Sequence, residues 1–415
     1  MNNLKLGFIG SGFIAKFQAT AMRMVRGVEL AGVYSLDGAE ALSVWAQDCG
    51  LGRCQVFPNI QELCKNVDAV AIFAPNFARV EHMEAVVDAV KAGAKLKGII
   101  CEKPLGRTVA EAERMVALAK EIGVPTSYFE NQLHMKSVKS IRLQLQPQQA
   151  VMGPVTLARC SEEHAGPHRG WFWDPTRQGG GVLADMGCHS IAVAWYLLTP
   201  HGKPLDFLKP VSVNADVALL KWGTPHYRQK LLTSMGVDYS KNPAEDFATG
   251  IVTFQNPDTG QLVKAQFANS WMFDKQGLRL FMDGLGPGYA FEMNSLISPL
   301  EIFIGDEAAE AVADAETALE KSTASRGLLS VIPNEADLYG YIDEIEDAVQ
   351  AFQSGRDGLT NLEYGLEITK LCQAAYMSAE QGRTIDLTTD ETQQALKSYV
   401  SLIAQGRGAE VLQVL

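Results

Sequence analysis

The chain has no Cys-x-x-Cys pair, no surplus of basic charge and no apolar run near the roughly 20 residues that span a bilayer. Each absence closes off a class of function. Structural zinc sites are built from thiolates paired at short spacing, and the cysteines at 49, 54, 64, 101, 160, 188 and 372 offer none. An odd number of cysteines suits reduced thiols in the cytoplasm better than a disulfide framework. With 36 Lys and Arg against 48 Asp and Glu, the formal charge is −12. Nucleic acid and anionic membrane surfaces both select basic patches, so neither is an expected partner. The first residues, "MNNLKLGFIGSG", hold one lysine, a short apolar stretch and no small-residue cleavage site. No signal peptide is read there, and a cytoplasmic location is expected.

What is present is the composition of a globular protein, with 47% hydrophobic and 20% charged residues. At 415 residues the chain is too long for one ordinary core. Two domains are expected, residues 1–130 and 131–415.

The first begins with an apolar strand, a glycine turn and an amphipathic helix. The turn is Gly10-Ser11-Gly12-Phe13-Ile14-Ala15, a G-x-G-x-x-A. Gly10 permits the tight turn, Gly12 lets backbone approach a pyrophosphate, and the small Ala15 packs helix on strand. The helix N-terminus then offers unpaired N–H groups to phosphate. The second strand, "VELAGVYSLD", ends at Ser35 and is followed by Leu36 and Asp37. No cation stands there to meet a 2′-phosphate and Asp37 repels one, which favours NAD over NADP. Strands and helices alternate up to "PTSYFENQ", the pattern of a doubly wound parallel sheet covered on both faces. Its ligand site lies at the C-terminal strand ends, which carry Gly10, Ser35, Pro75, Asn76, Glu102, Lys103 and Asn131. A solvated turn closed by Pro104 would also explain Glu102 and Lys103.

After about residue 135, strands separated by turns predict an α+β domain with an antiparallel sheet. Two helices follow, "LYGYIDEIEDAVQAFQSG" and "LEYGLEITKLCQAAYMSAEQG", and both are expected to pack on one face of that sheet. The other face, expected to be apolar, calls for a second subunit, so a homodimer or homotetramer is expected. The Ala- and acid-rich stretch 305–325 reads as a solvated helix or an excursion.

Between these parts stands "GGGVLADMGCHSI", three glycines and then a helix bearing Asp185 and His189. Residues four apart share a helix face and can serve one site. A surface ion pair is the plainer explanation.

The order GxGxxA, P-N, C-E-K-P and G-G-G-x-L-x-D-x-G-x-H-x-I resembles the glucose–fructose oxidoreductase and inositol dehydrogenase (Gfo/Idh/MocA) family. The resemblance spans nearly the whole chain, including "GLEITKLCQAAYMSAEQGRTIDL" near its end. It implies a Rossmann domain, then a domain with an open-faced, mostly antiparallel sheet. It also implies a tightly held nicotinamide cofactor and a sugar, polyol or related substrate. Lys103 matches the family's active-site lysine, and Asp185 and His189 its aspartate and histidine. Two segments depart from the pattern. "PNFARVEH" is longer than the usual P-N-x-x-H, and "GAKLKGII" replaces G-K-H-V. Asn76 is therefore a better cofactor contact than Arg79 or His82. On this resemblance, glycines 179–181 bring the chain close to nicotinamide and substrate.

Oxidising a secondary alcohol requires a base for its proton, and an imidazole titrating near neutrality suits the task. His189 is expected to be that base. Lys103 is expected to stabilise alkoxide charge, and Asp185 to bind a neighbouring hydroxyl or orient His189. A further cluster, "SEEHAGPHRGWFWD", suggests His164, His168 and Trp173 as substrate contacts, with Trp171 and Glu163 beside them. Core tryptophans with rim histidines would give the same pattern, and a metal held by His164, His168 and an acid is the less favoured option. Two other functions share these motifs: an NAD-dependent glycoside hydrolase acting by transient oxidation, and a sensor of sugars or nucleotides. The hydrolase would release a glycone without net NADH. The sensor would have no use for Lys103, Asp185 and His189 together.

Overall fold

The computed structural model describes residues 3–275, 277–297, 301–304, 327–330 and 334–414. The stretch 305–325 lies outside the described residues. The chain forms two compact units, residues 1–136 with 336–370, and residues 137–335 with 371–415. A single boundary near residue 130 leaves out the return of 336–370 to the first unit.

Six parallel strands build the first unit: β1 (Leu4–Ile9), β2 (Val28–Tyr34), β3 (Gln55–Val56), β4 (Ala69–Ile72), β5 (Gly98–Glu102) and β6 (Thr126–Phe129). Their order is β3-β2-β1-β4-β5-β6. The winding reverses between β1 and β4, the kind of switch point outside which ligands bind in α/β sheets. Helices α1 (Phe13–Met22), α2 (Ala39–Asp48), α3 (Ile60–Asn66), α4 (Arg79–Lys91) and α5 (Val109–Ile122) join the strands. Strands β4, β5 and β6 are buried along their whole length, as strands covered on both faces must be. Asn59 and Thr108 begin α3 and α5 by accepting the N–H groups of Glu62 and Glu111, which satisfies donors that the helices cannot.

The helix Tyr341–Gln353 belongs to this unit and not to the antiparallel sheet. It packs on α1, with the Tyr341 ring edge-on to Phe17 at 4.7 Å. Phe352 fills the space beside Gly98 of β5, where a Cβ would lie 2.2 Å from the ring. Amphipathic spacing shows that a helix packs, but not on which sheet. The long helix Leu362–Gln381 begins in the first unit and ends in the second.

The second unit opens with α6 (Lys136–Met152) and β7 (Leu157–Glu163). After α7 (Pro175–Gln178), a π-helical turn at Leu183–Gly187 runs into α8 (Cys188–Leu198). The chain then forms β8 (Lys209–Ala218), α9 (Pro225–Met235), β9 (Phe247–Gln255), β10 (Leu262–Ser270), β11 (Arg279–Gly286) and β12 (Tyr289–Asn294). Strands β13 (Glu301–Ile304) and β14 (Gly327–Ser330) pair with each other, and β15 (Ile385–Asp386) closes the large sheet. Its order is β12-β11-β7-β10-β9-β8-β15. All its pairs are antiparallel except β10 with β7.

Helix α8 lies on β7 and β10 and is buried nearly all round, as its apolar composition requires. The run Pro175–Leu198 is long and apolar enough to cross a membrane, and 94% of its apolar window is buried inside the protein. Arg177, Gln178 and Asp185 interrupt it in the sequence, which is why it does not read there as an apolar run. The outer face of the sheet is not the apolar surface expected. Ile251, Leu262 and Leu285 share it with an Arg159–Asp283 ion pair and with Lys264, whose Nζ donates to Thr253 Oγ1.

Candidate active site

The first unit carries the phosphate cradle at the end of β1. Gly10 has φ +115°, and a Cβ there would lie 2.8 Å from the Phe73 carbonyl; glycine is the residue that fits. A Cβ on Gly12 would meet no atom of the described residues within 4 Å beyond its chain neighbours and its own helix. Gly12 begins α1 with no side-chain cap, and the first turn carries no acid. The first N–H groups and the dipole of α1 stand at the end of β1, an arrangement that fits an anion such as a pyrophosphate. Ala15 is fully buried against the strands, while Phe13 and Ile14 are only partly covered. Ser11 Oγ donates to Ser35 Oγ at 3.0 Å and meets the Asp37 carbonyl. The exposed Asp37 and half-buried Ser35 thus edge the cradle.

The other strand ends of this unit are tied together. Arg79, which the sequence does not favour as a contact, is buried and donates to the carbonyls of Ala74 and Pro104. It clips the end of β4, with Pro75 and the buried Asn76, to the end of β5. Burial pushes the His82 imidazole below its ordinary range, and its ring stands edge-on to Tyr34 at 6.5 Å. Asn131 is expected at the cofactor. It donates its Nδ2–H to the Tyr339 carbonyl at 2.8 Å, holding a loop of its own unit.

At the end of β5, Glu102 Oε2 accepts the Lys103 N–H at 2.8 Å, and Lys103 is half-buried before a cis peptide to Pro104. The amide of Gln18 bridges Glu102 Oε1 (3.5 Å) and Glu344 Oε2 (3.2 Å). Burial and the charges of Glu102 and Glu130 push the Glu344 carboxyl well above the usual carboxylate range.

In the second unit, Asp185 lies in the π turn and His189 in the first turn of α8, so the pair straddles a helix junction instead of one regular helix. Such turns are frequent at functional sites. Both residues are buried, 6% and 4% exposed, which disposes of a surface ion pair. Trp271 Nε1 donates to Asp185 Oδ2 at 3.2 Å, and His164 Nε2 lies 3.7 Å from the same oxygen. The Gly166 N–H donates to His164 Nδ1 at 2.9 Å, so the neutral ring carries its proton on Nε2, towards Asp185. Asn269 reaches over from β10 and donates to Ser190 Oγ at 2.8 Å.

Three expectations change here. The sequence suggests that Trp173 faces a sugar. It is 2% exposed, with Trp222, Tyr239 and Trp271 packed around it at 4.5–5.8 Å and its Nε1–H given to the Pro167 carbonyl. Its ring belongs to an aromatic core. His164 is suggested as a substrate contact, yet it is buried with both nitrogens turned to protein; His168 is exposed. The glycines are suggested to admit a ligand, and what they admit is protein. A Cβ on Gly180 would lie 2.0 Å from the Tyr376 hydroxyl, and one on Gly181 would lie 2.2 Å from the Glu245 carbonyl.

Glu245 carries no motif, and Tyr376 stands in the late stretch that resembles the family without being singled out there. An acid just before a strand and a tyrosine on a late helix look ordinary in sequence. Burial pushes the Glu245 carboxyl up to about 7 against the donors around it. A buried carboxylate such as Asp185 can hold one hydroxyl while an imidazole one turn away deprotonates another.

Comparison with known proteins agrees with this architecture. Residues 4–129 match the oxidoreductase family with an NAD-binding Rossmann fold, and residues 147–284 match the GFO/IDH/MocA C-terminal domain. The chain is 27% identical to D-glucoside 3-dehydrogenase of Escherichia coli over 92% of this chain and 97% of that protein. It is 28% identical to glucose-6-phosphate 3-dehydrogenase of Bacillus subtilis, over 46% of this chain and about half of that protein, 53%. Among solved structures, GenD2 from gentamicin A biosynthesis in complex with NAD superposes with a TM-score of 0.72 at 20% identity. That match covers 94% of this chain and 97% of GenD2. A putative myo-inositol dehydrogenase from Sinorhizobium meliloti superposes with a TM-score of 0.68 at 21% identity, covering 93% and 100%. The chain belongs to the Gfo/Idh/MocA family of oxidoreductases, and its first domain is the family's NAD-binding Rossmann fold.

Proposed function

We propose that the protein is an NAD-dependent dehydrogenase that oxidises a secondary alcohol of a sugar, polyol or glycoside. The observation that carries this reading is the buried Asp185, fixed by Trp271 and His164 and followed one turn later by His189. A binding protein needs hydroxyl partners but no base.

NAD, when bound, supplies the acceptor for the hydride. The chain supplies position and charge. Gly10, Gly12, Phe13 and Ile14 hold the pyrophosphate; Ser35 and Asp37 favour NAD over NADP; Pro75, Asn76 and Glu102 shape the edge of the cradle. His189 takes the proton from the reacting oxygen as general base. The Lys103 ammonium stabilises the negative charge that this oxygen gains. Asp185 accepts a hydrogen bond from a neighbouring hydroxyl, and the exposed His168 adds a further hydroxyl contact. His164 acts through Asp185.

The same proposal includes a cytoplasmic location, which suits seven free thiols, six of them buried, and a homo-oligomer, for which the exposed Ile251, Leu262 and Leu285 remain as apolar contacts on a mixed face. Light scattering at micromolar concentration tests the assembly. A screen of polyols, free sugars and glycosides, followed at the NADH absorbance, tests the activity. NADH formed with one of these alcohols is the expected result; glycone release without NADH would favour hydrolysis.

A further inference from the structure

An α-helix leaves its first four N–H groups without partners of its own. At the helical segment bearing Asp185 and His189, those of residues 181–184 are all satisfied by two residues from elsewhere in the same unit. The Gly181 N–H faces both Glu245 carboxylate oxygens, at 2.9 and 3.0 Å. The Val182 N–H donates to the Glu245 carbonyl at 3.0 Å. The Leu183 N–H donates to Glu245 Oε1 at 3.0 Å, and the Ala184 N–H to the Tyr376 hydroxyl at 3.1 Å. The Tyr376 hydroxyl in turn donates to Glu245 Oε1 at 2.6 Å. Asp185 is the next residue, and its N–H begins the helical ladder by donating to the Gly181 carbonyl.

We propose that Glu245 and Tyr376 are positioning residues for Asp185 and His189. They clamp the start of the helix, so that the carboxylate and the imidazole stand where the reacting hydroxyls must be. Three features make this more than an ordinary cap. Both residues are fully buried. A buried carboxylate is costly unless its oxygens are satisfied, and here helix amides and a phenol satisfy them. Gly180 and Gly181 have no side chains where these two groups come closest. The glycine run of the motif is therefore the seat of the clamp. The clamp also fixes the beginning of a π turn, a rare geometry that is frequent at functional sites. A misplacement of about 1 Å at such a site can cost about 10²-fold in rate.

This inference rests on the proposed role of His189, and the two can fail separately. Tyr376→Phe removes one hydroxyl and keeps the ring; Glu245→Gln keeps the shape and removes the charge. Both are assayed beside wild type and His189→Ala with NAD and methyl β-D-glucoside, and each variant's melting temperature and NAD affinity are recorded. For Tyr376→Phe we expect kcat to fall about 10- to 10²-fold per folded molecule, with NAD affinity unchanged. Wild-type kcat in Tyr376→Phe and Glu245→Gln, beside an inactive His189→Ala, overturns the clamp alone. Full activity in His189→Ala overturns the role of His189 instead. A second measurement needs no turnover: the NMR titration of the His189 ring, assigned by its loss in His189→Ala. A shifted His189 signal in Tyr376→Phe supports the clamp, and an unchanged one overturns it.

Discussion

The indole Nε1 of Trp271 donates to Asp185 Oδ2 at 3.2 Å, a hydrogen bond inside the protein between the residue after β10 and the π turn. Both partners are buried, so neither has water to fall back on. Trp271→Phe keeps an aromatic ring in the core and leaves the carboxylate oxygen short of a donor. Folding stability should fall by about 1–3 kcal/mol, the worth of a buried hydrogen bond to a carboxylate. Denaturant unfolding measures this; a loss well below that range would mean that His164 satisfies the oxygen unaided.

Two glycines of one turn should behave in opposite ways. Gly10→Ala forces a Cβ towards the Phe73 carbonyl at positive φ, so it should lower the melting temperature. A Cβ at Gly12 meets nothing within 4 Å among the described residues beyond its chain neighbours and its own helix, so in Gly12→Val the fold should survive while the side chain enters the phosphate cradle. NAD titration by calorimetry, with a melting curve for each variant, tests the contrast. Equal NAD affinity in Gly12→Val and wild type would place the pyrophosphate elsewhere.

Glu344 should give stability a pH dependence of known sign. Its folded pKa is raised by burial and by the charges of Glu102 and Glu130. The folded state therefore holds the proton longer than the unfolded chain does. This contribution is complete below the unfolded pKa and is lost as pH rises towards the folded one. Glu245 has the same sign, with a window from 4.5 to about 7. Glu344→Gln has no proton to lose, so its melting temperature relative to wild type should rise as the pH climbs above the ordinary carboxylate range. A constant difference over that climb would contradict the burial of an ionising Glu344.

Local signals carried much of this architecture. The glycine turn, the alternating strands and helices, and the strand ends at Ser35, Asn76 and Glu102 are written in short stretches of chain, and the six-stranded sheet follows them. The helix Tyr341–Gln353 was legible as a helix but not as a partner of α1, because the signal for its placement is Gly98, some 240 residues earlier in the chain. Helix α9 is bracketed by Pro225 at its start and Gly236 at its end, the usual helix punctuation, but it buries Leu231 alone, so its apolar face leaves no period to read. At the candidate site, Asp185 and His189 stand in a motif, whereas Glu245 and Tyr376 reach the start of their helix, and Trp271 reaches Asp185, only through the fold. Trp173 shows the converse limit. A tryptophan beside histidines and acids suits a sugar site, and the packing of three other aromatic rings around it is invisible along the chain.

The central claim is that His189 deprotonates an alcohol whose hydride passes to NAD. The most direct test incubates wild type and His189→Ala with excess NAD and either methyl β-D-glucoside or myo-inositol, following NADH and loss of the alcohol together. Wild type should form NADH in step with alcohol consumed. His189→Ala should be slower by about 10²–10⁴-fold, the usual worth of general-base catalysis, with NAD affinity unchanged. Near-normal turnover in His189→Ala, or glycone released by wild type without NADH, would contradict the account.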